Sequence, residues 1–181
     1  MQMNRSEPSR FSVPSQGGAL QLLRVQPDER RGLPVLLLHG STLPGSIAYT
    51  LRFEGRSWLD DLADRGRDGW ALDIRGYGGS WKPTVSEARP CEPVADASQA
   101  IVDIAAAVRF ILAETGADAV DLVGWSWGAT TAATYVAHGG SGVERLVLHA
   151  PQWLRDTPSP MVTPQSMNEP YRSVDTTAFV E

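Results

Sequence analysis

The sequence predicts an α/β protein with a mostly parallel β-sheet, and three observations lead to that prediction. From Leu33 onward, short apolar runs alternate with segments of helical periodicity. The run at residues 34–38 is continuously apolar and rich in branched residues, which is typical of a strand buried on both faces. Glycine-rich turns follow several of the apolar runs. Strands that alternate with helices are joined by crossover connections, which place neighbouring strands parallel.

Two extended runs precede this alternation. The first ten residues are polar and lack the apolar segment of a signal peptide, so we expect a flexible arm there. Strands are predicted at residues 11–14 and 19–25, where they could add an antiparallel edge. No apolar run approaches the length of a membrane span. We therefore expect a cytoplasmic protein.

The alternating part predicts four strands and three helices. The clearest helix places Ile104, Val108 and Ile111 on one stripe and is followed by Gly116, a typical helix end. The predicted strands are residues 34–38, 70–74, 119–123 and 143–149, and the predicted helices are residues 57–65, 97–115 and 129–136.

The C-terminal part breaks this rhythm. Residues 151–181 contain five prolines and no strand pattern. A stretch of that length without secondary structure is uncommon inside a compact domain. We therefore predict a core over residues 11–151, and the start of a lid or a tail over residues 152–181.

Composition excludes several functional classes. The chain has 181 residues, enough for one domain, and its formal net charge of -5 gives no basic footprint for nucleic acid. Its single cysteine, Cys91, rules out an internal disulfide and is interpreted as an ordinary loop residue. Because no metal-ligand cluster and no cofactor motif is present, we expect no metal, no cofactor and no membrane partner.

The sharpest motif is Gly-Trp-Ser-Trp-Gly at residues 124–128. It matches the G-x-S-x-G pattern, with an apolar strand before it and a helix after it. That context predicts a tight turn that lifts Ser126 above the end of the sheet, with small residues where strand and helix pass closely. Ser126 is the predicted nucleophile, placed at a helix N-terminus that favours developing negative charge.

A second motif, His39-Gly40-Ser41-Thr42, directly follows a predicted strand. An oxyanion hole needs two N–H donors aimed at one point, one from the residue after the nucleophile and one from an earlier loop. Trp127 and Ser41 are the predicted donors, with Thr42 next in line. His39 could act as a base, but we favour a role in orienting this loop by hydrogen bonding.

The third motif is the glycine-rich loop at residues 73–80. Its spacing matches neither a dinucleotide-binding fingerprint nor a P-loop. We interpret it as a structural loop near the site, braced by Asp73 and Arg75.

Together, the three motifs resemble those of the α/β-hydrolase superfamily, in the branch that contains small esterases, haloperoxidase-like enzymes, C–C bond hydrolases and proline iminopeptidases. The resemblance covers about residues 11–151 and implies an α/β-hydrolase fold. It also implies that Ser126 is the nucleophile and that the N–H groups of Ser41 and Trp127 bind the oxyanion. Haloalkane dehalogenases of this fold use aspartate as the nucleophile, so Ser126 points away from them.

The resemblance also implies an acid and then a histidine after the serine. Only His138 and His149 follow Ser126. His138 would lie about 18 Å away along the helix, and His149 is more simply a strand-end residue. Asp156 could mimic a rarer position of the acid, but no histidine follows it. The family has two further strands beyond this point, so the sheet is expected to be incomplete.

Two functions follow from these residues. The first is a serine hydrolase for a small ester or related carbonyl substrate, whose acid and histidine come from a missing or separate C-terminal part, for example on a second polypeptide. Trp125, Trp127 and Trp153 suggest an apolar pocket. The alternative is a catalytically inactive α/β-hydrolase-fold module that binds a ligand or a protein.

Overall fold

A computed structural model describes residues 7–84, 93–152 and 156–157. The chain divides into two compact units, Met1–Lys82 with Ala95–Gln152, and Pro83–Val94 with Trp153–Glu181. The sheet, its helices and the three motifs belong to the first unit. Cys91, Trp153 and most of the predicted lid or tail lie outside the described residues, and Asp156 is exposed.

The described residues form a mixed sheet of six strands, and the predicted α/β class is confirmed. The strand order is β1-β2-β4-β3-β5-β6. The pairs β1–β2 and β2–β4 are antiparallel, and the pairs among β4, β3, β5 and β6 are parallel. The strands are β1 (Ser9–Ser15), β2 (Gly18–Val25), β3 (Val35–Leu38), β4 (Gly69–Asp73), β5 (Val120–Trp125) and β6 (Val143–His149). The helices are α1 (Gly45–Ala48), α2 (Trp58–Asp64), α3 (Ala97–Thr115) and α4 (Trp127–Ala137).

Strand β3 is apolar throughout because it is covered on both faces. Leu36 pairs in register with Trp70 and Leu122, and all three belong to the larger of the two core clusters, which α3 and α4 cover. Leu37 points to the opposite face, where a smaller cluster contains Tyr49 and residues of α2. Side chains alternate between the two faces along a strand, so a strand buried on both faces needs apolar residues throughout.

Local signals explain where the longer helices begin and end. Ser57 caps α2 and Asp96 caps α3, each through a capping box in which the side chain three residues later reaches back. Gly116 ends α3 with a left-handed φ of 65°. The bounds of α3 and β6 are those predicted. The short helix α1 was not predicted, because a single turn leaves no periodicity to detect.

The predicted bounds near residue 126 are wrong in one respect. We expected β5 to end at Val123 and α4 to begin at Ala129, with a tight turn of several residues between them. Instead β5 continues to Trp125 and α4 begins at Trp127. A one-residue connection leaves no room for a loop, which is why the strand and helix extend to meet each other.

The two edges of the sheet are β1 and β6. No residue of β6 is buried, and Val147 and Leu148 are 50% and 41% exposed. Within the described residues, β6 pairs only with β5, which leaves its other side unpaired. None of the helices described is both long and apolar enough to span a membrane.

Candidate active site

Ser126 alone forms the turn between β5 and α4. Its backbone has a φ of 56° and a ψ of −118°, a conformation that L-residues rarely adopt. Such a residue costs about 1–3 kcal/mol and persists only where its surroundings enforce it. The Ser126 N–H donates to the carbonyl of His149 at 2.9 Å, and the Ser126 carbonyl accepts the first hydrogen bonds of α4. Ser126 is half-buried, so its side chain keeps access to solvent.

The flanking glycines are required by close packing. A Cβ on Gly128 would overlap the carbonyl oxygen of Leu38, and a Cβ on Gly124 would lie 2.6 Å from the Cα of Ala129. Both contacts involve backbone atoms, which cannot rotate away. Glycine at these two positions therefore lets α4 start directly against β3 and β5, and the motif spacing follows from that contact.

The loop after β3 lies against the serine. A Cβ on Gly40 would lie 3.2 Å from the Cβ of Ser126, which is tighter than most real contacts. Ser41 follows at once and is half-buried. Its carbonyl accepts a hydrogen bond from the Tyr77 hydroxyl at 3.0 Å, while its N–H donates to no group in the described part of the chain. The fold thus brings Ser41 beside the turn that carries Ser126 and Trp127.

Trp127 supplies a further N–H at this place. It is the first residue of α4, and the first N–H groups of a helix have no acceptor within that helix. The positive electrostatic potential at the N-terminus of α4 also favours a negative charge at this place. Trp125 is 36% exposed and Trp127 half-buried, so both indoles lie beside the serine without being sealed in the core.

His39 is buried with both ring nitrogens bonded. Its Nε2 accepts from the Ile74 N–H at 3.2 Å, so its Nδ1 carries the proton and donates to the Gly40 carbonyl at 2.7 Å. Burial lowers the pKa of His39, although the Gly40 carbonyl and the Asp73 charge oppose that effect. The ring is therefore neutral. With no free nitrogen, it holds the loop after β3 against the loop after β4 rather than taking a proton from Ser126.

The loop after β4 is braced by two buried carboxylates. Asp73 accepts hydrogen bonds from the Ser46 N–H at 2.7 Å, the Gln21 side chain at 2.9 Å and the Gly79 N–H at 2.9 Å. Arg75 donates to both oxygens of Asp103 at 2.9 and 2.7 Å. The carboxylate of Asp73 thus fills the turn, which supports a structural loop.

Tyr77 connects the three motifs. Its ring lies 4.6 Å from that of His39 and 6.1 Å from that of Trp127, and its hydroxyl holds Ser41. Sequence reasoning did not assign Tyr77 a role, and it did not find Asp103. A signal existed for Asp103, since it lies on the apolar stripe of α3, and a buried acid needs a buried cation.

Neither of the other histidines reaches Ser126 with its ring. His138 ends α4 and bonds the Thr134 carbonyl through Nδ1 at 2.9 Å. His149 contributes its backbone carbonyl to the Ser126 N–H, and its exposed ring forms no hydrogen bond to the serine among the residues described. The three histidines of the sequence are thus all accounted for without a base at Ser126.

Comparisons with known proteins identify the fold. Residues 34–178 match the family model described as the alpha/beta hydrolase fold. No curated protein matches the sequence.

Several solved structures share the fold. An epoxide hydrolase A from Mycobacterium thermoresistibile is 28% identical with a TM-score of 0.54, over 77% of this chain and 38% of that one. An epoxide hydrolase from Vigna radiata is 21% identical with a TM-score of 0.57, over 87% and 42%. A proline iminopeptidase from Mycobacterium smegmatis is 18% identical with a TM-score of 0.56, over 79% and 44%. The matched part therefore spans about two fifths of these relatives' length.

Proposed function

The chain belongs to the alpha/beta hydrolase family, and from that premise we propose that it is a serine hydrolase for a small ester or related carbonyl substrate. Ser126 is the nucleophile in this proposal, and the N–H groups of Ser41 and Trp127 bind the oxyanion. The observation that carries it is the strained one-residue turn at Ser126, pressed against Gly40. Strain of this kind is concentrated at functional sites.

The chemistry proceeds in two steps. The Ser126 Oγ attacks the carbonyl carbon, the oxyanion forms beside the two N–H donors, and the alcohol leaves with a proton. Water then hydrolyses the acyl-serine and regenerates Ser126. Removing one oxyanion donor in enzymes of this type costs about 10²–10³ in kcat.

A carbonyl substrate fits serine better than an epoxide does. If Ser126 opened an epoxide, the product would be an ether between enzyme and substrate, and water does not readily hydrolyse an ether. The acyl-serine formed from an ester is itself an ester, which water can cleave. The structural likeness to epoxide hydrolases therefore supports the fold, and the hydroxyl at Ser126 favours acyl transfer.

The general base must come from elsewhere in this proposal. A serine hydroxyl is a poor nucleophile without one. Because His39 is fully bonded and His138 lies at the far end of α4, we place the acid and the histidine on a C-terminal part outside these 181 residues, on the same or a second polypeptide. The unpaired edge of β6, with Val147 and Leu148 exposed, supports a further strand there.

Labelling by a fluorophosphonate tests the nucleophile. We expect the natively purified protein to label, Ser126→Ala to lose the label, and Ser41→Ala to keep it, because alanine retains the backbone N–H. Ser41→Pro removes that N–H and should slow labelling by about 10²–10³. Equal labelling of Ser41→Pro and Ser41→Ala would remove Ser41 from the oxyanion hole.

The alternative is a catalytically inactive module that binds a ligand or a protein, and the absence of a histidine ring bonded to Ser126 favours it. A denaturing intact-mass spectrum of the natively purified protein separates the two. A second species that carries a histidine, together with labelling at Ser126, supports the hydrolase. A single species that does not label supports the binding module.

A further inference from the structure

A groove lies between α3 and the C-terminal end of α4, away from Ser126. Its volume is about 430 Å³, within the range of small-molecule sites. Ile101, Ala105, Val108 and Leu112 of α3 form its floor. The far wall comes from Tyr135 and the residues that follow α4. Along the axis of α4, about 18 Å separates this end from Ser126, so the groove is not part of the site described above.

The apolar part of the groove comes from one stripe of α3. Residues three and four apart on a helix lie on the same face, so Ile101, Ala105, Val108 and Leu112 lie along the groove, with Val108 buried beneath it. Ile101 and Leu112 are only partly buried. The Tyr135 hydroxyl donates to the Ser141 carbonyl at 2.7 Å and is therefore already bonded. The cavity thus offers an apolar surface along most of its length.

The charged group at the groove is cationic. Arg109 is exposed there, and none of the described residues that line the groove is acidic, although the chain as a whole carries a formal net charge of -5. Arg24 and Arg75 each form a salt bridge to a carboxylate, whereas Arg109 forms no salt bridge within the described residues. Burial raises the pKa of Tyr135, and the positive charge of Arg109 partly opposes that rise, which places the charge near the cavity.

The Nδ1 of His138 donates to the Thr134 carbonyl at 2.9 Å, which leaves Nε2 as an acceptor that does not suit an anion. Arg109 is therefore the cationic donor at the groove. A guanidinium donates two parallel hydrogen bonds to a carboxylate, which makes arginine well suited to that group.

From this combination we propose that the groove is a second ligand site, which binds a monocarboxylate with an apolar tail. The tail lies along the α3 residues of the groove, and the carboxylate is held by Arg109. This site is independent of the proposed hydrolase activity.

The test uses the full 181-residue chain, labelled with ¹⁵N and titrated with octanoate or 1-octanol below micellar concentrations. We expect octanoate to bind more tightly than 1-octanol and to shift the amide signals of Ala105, Arg109 and Gly140. Arg109→Gln should weaken octanoate binding about tenfold or more, since a charge-assisted contact is lost. It should leave 1-octanol binding unchanged.

Arg31→Gln is the matched control, because Arg31 is also an exposed arginine but pairs with Glu29 and does not line the groove. It should leave octanoate binding unchanged. Equal affinities for octanoate and 1-octanol would overturn the proposal. So would equal effects of Arg109→Gln and Arg31→Gln, or shifts confined to β6, where Val147 and Leu148 offer another apolar surface. None of these outcomes bears on the labelling of Ser126.

Discussion

Strands β3 and β6 carry similar apolar signals but lie in opposite environments. All four residues of β3 are buried, whereas β6 contains no buried residue. Strands β4 and β5 flank β3, and helices cover both of its faces, while β6 pairs only with β5 among the residues that the structure describes. The difference teaches that an apolar run identifies a strand, and that its neighbours in the sheet decide how much it contributes to stability.

The histidines at the ends of these two strands show the same contrast between a buried and an exposed environment. His39 comes directly after β3, is buried, and bonds both neighbouring loops through its ring. His149 is the last residue of β6, is exposed, and contributes a backbone carbonyl to Ser126. Four predictions test this contrast, from the largest expected effect to the smallest.

Truncating one leucine in each strand tests the contrast in burial. Leu36→Ala in β3 should lower the free energy of unfolding by about 2–5 kcal/mol, because it opens a cavity in a packed core. Leu148→Ala in β6 should lower it by less than about 1 kcal/mol, since the side chain is 41% exposed. Urea unfolding of both variants measures the two losses. Equal losses would show that β6 is covered in solution.

Replacing each histidine by asparagine tests the ring contacts. His39→Asn should cost about 1–3 kcal/mol, because the Ile74 N–H and the Gly40 carbonyl lose a buried partner. His149→Asn keeps the backbone carbonyl and should change the unfolding free energy by less than about 0.5 kcal/mol. Thermal unfolding of the two variants provides the comparison. A larger loss of unfolding free energy in His149→Asn than in His39→Asn would contradict the structural role assigned to the His39 ring.

The pH dependence of stability tests the charge state of His39. Burial lowers its pKa in the folded protein, so below the ordinary value of about 6.5 the unfolded chain binds more protons. Stability should therefore be fully present above that value and fall as the pH decreases from 7 to 5, with a slope of at most about 1.4 kcal/mol per pH unit from this group. His39→Asn should flatten the profile in that range. An unchanged profile would assign the slope to other groups.

A charge on the exposed strand tests the unpaired edge. Val147→Lys should change the unfolding free energy by only about 0.5 kcal/mol, because Val147 is 50% exposed. It should reduce self-association, since charged residues on an edge discourage further pairing. Light scattering after size exclusion, over a range of concentrations, measures this effect. Val136→Lys, at a residue of α4 that is 37% exposed, is the control.

Most of the fold could be predicted because its signals are local. Short apolar runs marked β3, β4 and β5, and a periodic stripe followed by Gly116 marked α3. The G-x-S-x-G spacing marked the turn at Ser126, since Gly124 and Gly128 are fixed by backbone contacts rather than by distant side chains.

The contacts between segments could not be predicted in the same way. The pair Arg75 and Asp103 joins a loop to a helix 28 residues later, and Asp73 is bonded by a glutamine 52 residues before it. The sequence around each of these residues does not indicate which distant residue it contacts. The hydroxyl of Tyr77 reaches Ser41 only because β3 and β4 are adjacent in the sheet. The roles of Ser126, Ser41 and Trp127 remain predictions that the labelling experiment decides.

The hydrogen bond from the Ser126 N–H to the His149 carbonyl has a mechanical consequence. It fastens the peptide that carries the serine to the most exposed strand of the sheet. A displacement of the end of β6 therefore reaches Ser126 directly through this hydrogen bond, in addition to the pairing of β6 with β5. The rate at which the Ser126 amide proton exchanges with solvent reports on that hydrogen bond. A group that binds to the outer edge of β6 should therefore change this rate.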